Sequence, residues 1–152
     1  MSETEGRYLV THSDDESAIL RDISKGQIYT IIHNPDLSEG DIIDAKLESV
    51  PPLDIQWTIE TIVHRYSISV DVSANEPGEA ANEAAKNLEN NELATLSEAN
   101  GVTHVLTVPE ENTESAIHDL ADDETIRIQA AKRDADHVII RGSDGVISIR
   151  YQ

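Results

Sequence analysis

The chain has 152 residues, with 30 Asp and Glu against 11 Lys and Arg and a formal net charge of −19 at pH 7. It has no Cys and no Phe, which excludes a disulfide-stapled scaffold, a thiolate metal site and a cysteine nucleophile. Repulsion on this scale destabilises a compact chain in dilute buffer and fades where molar salt shortens the Debye length to about 3 Å. The acidity therefore reads as adaptation to a cytoplasm of molar salt, as in halophilic archaea.

The 18 Ile, 10 Leu and 10 Val supply enough apolar side chains for the chain to fold. The β-branched residues gather at the two ends and point to sheet there. Met1–Gly6 is acidic and polar, unlike the basic and then apolar start of a secretory leader. No apolar run approaches the roughly 20 residues needed to span a bilayer. A soluble, cytoplasmic protein with no membrane partner is expected.

Residues 1–75 read as consecutive short strands. Arg7–Ser13, Ser17–Ile23 and Gln27–His33 are β-rich runs separated by turn-like Asp14-Asp15-Glu16 and Ser24-Lys25-Gly26. Asp41–Ser49 alternates, with Ile43, Ala45 and Leu47 on one face and Asp44, Lys46 and Glu48 on the other. After Pro51-Pro52, Ile55, Trp57 and Ile59 alternate with Asp54, Gln56, Thr58 and Glu60. Ile68, Val70 and Val72 alternate with Ser67, Ser69 and Asp71. Five or six antiparallel strands in so short a stretch are most economically a small closed barrel, OB-like or SH3-like, because closure removes exposed edges.

A second domain is expected over residues 76–152, giving an α+β protein in two parts. Glu79–Glu98 is rich in good helix formers and predicts a helix stopped at Asn100-Gly101. Thr103–Val108 follows as a strand, then a short helix from Asn112-Thr113 to Leu120 and another capped by Asp122 or Asp123. His137–Gly142 and Val146–Tyr151 flank Asp144-Gly145, a strong hairpin signal. A type I′ turn there sets Ile140 opposite Ile149 and Val138 opposite Tyr151. Val138, Ile140, Ile147, Ile149 and Tyr151 then share the core face, and His137, Arg141, Ser148 and Arg150 share the other. Helices packed on a three-stranded sheet are expected for this half.

The stretches Tyr8-Leu9-Val10-Thr11-His12, Ala18-Ile19-Leu20-Arg21-Asp22, Asn34-Pro35 with Gly40-Asp41, His104–Glu110, and Gly145-Val146 through Arg150-Tyr151 resemble those of uncharacterised haloarchaeal proteins grouped as a domain of unknown function. The resemblance covers nearly the whole chain. It carries no activity and no assigned site.

Motifs of catalysis are absent. There is no glycine-rich phosphate loop, no Gly-x-Ser-x-Gly, and no His-x-x-x-His pair among the six histidines. No catalytic, cofactor-binding or metal-ligating residue is assigned. A hydrolase or metal-dependent reading would draw on His104, Glu110, Glu111, Glu114 and His118, around a strand end and a helix start. Trp57 falls on the apolar parity of its strand and reads as core, whereas Tyr8, Tyr29 and Tyr66 are undecided between core and an exposed stacking platform.

Charge singles out the C-terminal stretch. Residues 125–152 hold three acids and five bases, Arg127, Lys132, Arg133, Arg141 and Arg150, in a chain that otherwise avoids cations. Lys132, Arg133, Arg141 and Arg150 are the candidate partner contacts, since Arg grips carboxylate and phosphate bidentately. The competing reading is that they balance local acids and cover apolar edges with their stems. The favoured function is a non-catalytic binding or adaptor module with a protein partner. Association with nucleic acid or a ribosome is the alternative.

Overall fold

The computed structural model describes residues 2–53, 55–98 and 101–152. Asp54 and Asn100, expected in an alternating strand and a helix stop, lie outside the described residues. The chain divides into two compact units, Met1–Ile68 and Ser69–Gln152.

The first unit contains β1 (Glu3–Ser13), β2 (Ser17–Asp22), β3 (Ile28–Ile32), β4 (Asp41–Ser49) and β5 (Gln56–Ser67). They close into a ring in the order β1-β2-β3-β5-β4. Closure depends on the two long strands. β1 pairs β2 through Tyr8–Ser13 and β4 through Glu3–Leu9. β5 pairs β4 along most of its length and reaches β3 at Gln56 and Trp57. Register shifts between Val10 and His12, Asp44 and Ala45, and Lys46 and Leu47 add the local twist that a small ring requires. The β3–β5 pairing is parallel, so the expectation of antiparallel strands throughout fails at that one seam.

Turn chemistry is local. Backbone N–H groups of Glu16 and Ser17 donate to Asp14 Oδ1, and those of Ser24 and Lys25 donate to Asp22 Oδ1. Asn34 Nδ2 donates to Ser13 Oγ at 2.8 Å and to the Asp14 carbonyl at 2.7 Å, tying the loop after β3 to the β1–β2 turn. Inside the ring, Val10, Leu20, Ile31, Ile43, Ala45 and Leu47 pack with Tyr8 and Tyr29, and half-buried Trp57 packs against them. Tyr29 meets Tyr8 and Trp57 edge-on, at centroid distances of 5.6 and 5.1 Å. Of the three undecided tyrosines, Tyr8 and Tyr29 are thus core residues, and Tyr66 is half-buried.

The second unit is a five-stranded sheet, where three strands were expected. Its strands are β6 (Ser69–Val72), β7 (Leu93–Glu98), β8 (Gly101–Thr107), β9 (His137–Ser143) and β10 (Val146–Tyr151), in the order β6-β9-β10-β8-β7. β6 runs parallel to β9. The passage between units therefore falls at Ile68/Ser69 rather than at 75/76, because β6 finds its partner far downstream. The predicted helix 79–98 is also shorter than expected. Only α1 (Glu79–Ala85) is helical, and Leu93–Glu98 pairs β8 instead. Pairing to β8, with Ala94 and Leu96 packed inward, overrides the helical composition of the segment.

α1 packs on one sheet face through Ala81 and Ala85, which meet Val105 of β8. α2 (Thr113–Ala121) and α3 (Glu124–Lys132) serve the other, where Ile117 lies against Gly142. Asp123 caps α3 by accepting from Thr125 N–H at 2.9 Å. The hairpin forms as expected, with Ile140 opposite Ile149 and Val138 opposite Tyr151. Asp144 and Gly145 have φ of 50° and 84°, the left-handed pair that a type I′ turn needs. No helix among the described residues is long and apolar enough to cross a membrane.

Candidate anion-binding site

Strand parity brings the site together. Ser148 faces Arg141 on one side and Val105 on the other, while Arg150 faces Ile139 and Thr103. Two adjacent rows of the sheet therefore present Arg141, Ser148, Arg150 and Thr103 to the α1 side. α1 offers only small residues above them, Ala80 and Ala81, preceded by Gly78, and the space left is a cavity of about 80 Å³. Leu96 and Ile139 complete its wall. Thr103 and Ser148 are buried polar residues, 7% and 6% exposed.

Arg141 enters this cavity from β9. Its Nε is buried without a hydrogen-bond partner, and no ion pair of Arg141 occurs among the described residues. Four other cations are taken up by carboxylates. Arg7 Nε and Nη2 reach the two oxygens of Asp44 at 2.7 and 3.1 Å, Arg65 Nε reaches Asp41 at 2.8 Å, Lys46 lies 3.2 Å from Glu3, and Lys86 lies 2.8 Å from Glu83. Arg141 lines the cavity with no such carboxylate among the described residues, in a chain with nearly three carboxylates per base. A buried charged donor without an acceptor is costly, and an oxyanion in the cavity would supply the acceptor.

The four candidate contacts do not stay together. Arg141 and Arg150 share the cavity. Arg133 goes to the α3 side, where it donates to the Gln129 carbonyl and side-chain oxygens at 3.0 and 2.6 Å and lies over the Tyr151 ring at 5.2 Å. Lys132 is exposed at the end of α3. Sequence reasoning reached the shared face of Arg141 and Arg150 through hairpin register. It missed Thr103, because nothing local pairs β8 with β10.

The His104 cluster also lies on the α3 side of the sheet. His104 is 8% exposed, with Nδ1 at 3.2 Å from the Tyr151 hydroxyl and Nε2 at 3.4 Å from Arg133 Nη2. Arg133 can only donate, so Nε2 must carry the lone pair and Nδ1 the proton, which it donates to Tyr151 Oη. Burial, and then the Arg133 charge, push the His104 pKa down, and burial pushes the Tyr151 phenol up to about 12. The remaining members of the hydrolase or metal set stay apart from it: Glu110, Glu111, Glu114 and His118 are exposed on the turn before α2 and on α2 itself. No group of three metal-ligating side chains converges among the described residues.

No curated protein and no solved structure matches the chain. Residues 4–142 match the model of the family of unknown function DUF5812, and the chain belongs to that family.

Proposed function

We propose that this protein is a non-catalytic binding or adaptor module that engages an anionic group of its partner through the second unit. One observation carries the reading: Arg141 and Arg150 meet in a single cavity with two hydroxyl side chains, and Arg141 has no carboxylate partner among the described residues. The working environment that fits the charge is a salt-rich cytoplasm, where screening tempers repulsion between this chain and an acidic partner.

Association with nucleic acid or a ribosome is the second reading, and one feature favours it. The ring order β1-β2-β3-β5-β4 with β3 parallel to β5 supports an OB-like rather than an SH3-like barrel, and OB-like barrels bind oligonucleotides across strands 2 and 3 and the adjoining loops. The side chains at that surface argue the other way. Tyr8 and Tyr29 are spent in the core, and the β1–β2 turn carries Asp14, Asp15 and Glu16. A base-stacking platform in a positive groove, the usual device for single strands, has no material there.

The test is capture from a lysate at high salt, with and without nuclease, using the wild-type chain and an Arg141→Gln/Arg150→Gln variant. A nuclease-resistant protein partner lost from the variant is the expected result. Nuclease-sensitive recovery of RNA or ribosomal proteins would move the assignment to the second reading. A partner retained equally by the variant would remove the cavity from the account.

A further inference from the structure

Granted the anion-binding reading of the cavity, we infer that its occupant is a carboxylate on a short aliphatic stem rather than a phosphate or a stretch of nucleic acid. Volume is the first constraint. About 80 Å³ admits an end group, far below the 300–1,000 Å³ of clefts that enclose a drug-sized ligand. Lining chemistry is the second. Polar groups lie on the sheet, with Arg141 and Arg150 as planar forks and Thr103 and Ser148 as hydroxyl donors, whereas Ala81, Leu96 and Ile139 offer apolar contact. Such a division suits an anionic head with an alkyl stem. A guanidinium matches the two coplanar oxygens of a carboxylate through parallel N–H donors.

Charge is the third constraint. The chain carries −19, and repulsion from that field grows with the charge of the ligand. A monoanion is repelled less than a dianionic phosphate, and far less than a polyanion that must lie along the surface. In salt concentrated enough to screen the chain, counterion release also contributes little to phosphate binding. What survives is short-range recognition by fork geometry and apolar fit. Either a free small acid or the C-terminus of a peptide would present this chemistry.

Backbone amide shifts followed by NMR during titration at high salt test the inference. The probes are butyrate, its neutral counterpart butyramide, inorganic phosphate, and one short apolar peptide with a free or amidated C-terminus. Butyrate is expected to give saturable shifts at Ala80, Ala81, Thr103 and Ser148, and butyramide none. The free-acid peptide binding more tightly than butyrate identifies a chain terminus as the source, and the reverse identifies a small acid. Arg141→Lys keeps the charge and loses the fork, so binding should weaken by about tenfold or more. Ala81→Leu fills the cavity with both arginines intact and should abolish the shifts while the spectrum stays dispersed. Phosphate binding more tightly than butyrate, or equal shifts with butyramide, overturns the carboxylate assignment. Partner capture that depends on Arg141 alongside absent butyrate binding would sink this inference alone and leave the binding-module reading in place.

Discussion

His104 donates its Nδ1 proton to Tyr151 across the β8–β10 pair, with 3.2 Å between the two atoms and ring centroids 5.0 Å apart at 77°. Burial and Arg133 hold the imidazole neutral. A histidine whose pKa is lowered by folding binds a proton more readily in the unfolded chain, so stability is complete above the unfolded value of about 6.5 and declines as pH falls below it. Urea denaturation at pH 7.5 and pH 5 should show this loss. His104→Asn should narrow the difference between the two pH values. Tyr151→Phe should cost about 1 kcal/mol at pH 7.5 by removing an acceptor. An unchanged pH profile in His104→Asn would assign the acid sensitivity to other groups.

Acid sensitivity of the first unit has a different origin. Arg7 holds Asp44 through two hydrogen bonds, and that contact above all keeps the Asp44 carboxyl below the usual carboxylate range. A lowered carboxylate pKa stabilises the fold above the unfolded value near 3.9, and the benefit disappears as pH falls through the lower folded value. Arg7→Gln should cost roughly 0.5–1 kcal/mol at pH 7 and low salt, because both side chains are partly exposed. The cost should shrink in molar salt. A cost that does not respond to salt would mean that the Arg7 guanidinium lying over the Tyr66 ring, 5.7 Å from its centroid, is the larger contribution.

Gly145 occupies the one hairpin position where a side chain has neither conformation nor room. Its φ is 84°, and a Cβ would sit 2.7 Å from the Val108 carbonyl oxygen. Gly145→Ala should destabilise the second unit by about 2 kcal/mol through strain and collision. Asp144→Asn should be close to neutral, since Asn also tolerates the left-handed region. Paired thermal melts of the two variants check both. Equal melting temperatures would contradict the turn geometry.

Legibility followed the range of each signal. The Asp144-Gly145 hairpin and the alternation of β4 were readable because turn residues and side-chain parity are written in adjacent positions. Arg141 and Arg150 inherited their shared face from that same hairpin. The β7 segment was not readable as a strand. Leu93, Ala94 and Glu98 are acceptable in a helix, and only pairing to β8 decides otherwise. β6 and the parallel β3–β5 seam depend on partners distant in sequence, which no local pattern announces. Lys132 and Arg133 were grouped with the cavity arginines by charge alone. Which side of the sheet α3 serves, and hence where Arg133 points, is set by packing of Ile126, Ile128, Ala130 and Ala131. The cavity itself depends on small residues of α1 lying over the sheet, a relationship invisible in either segment alone.

Salt dependence of folding follows from the same charge that constrains the ligand. The chain carries −19, and the ion pairs described above involve only a minority of its 30 carboxylates. Mutual repulsion among the rest opposes compaction and is screened over about 3 Å in molar salt, against about 10 Å at 0.1 M. Circular dichroism melts from about 3 M down to about 0.05 M KCl should give a melting temperature that falls steadily as salt is removed. The second unit should be affected early, because residues 76–124 hold 13 acids against the single base Lys86. Hydrogen exchange at low salt would localise the effect, with amides of α1 and α2 losing protection before those of β4 and β5. A melting temperature independent of salt would show that repulsion is not what limits stability, and would reduce the acidic surface to a means of staying soluble.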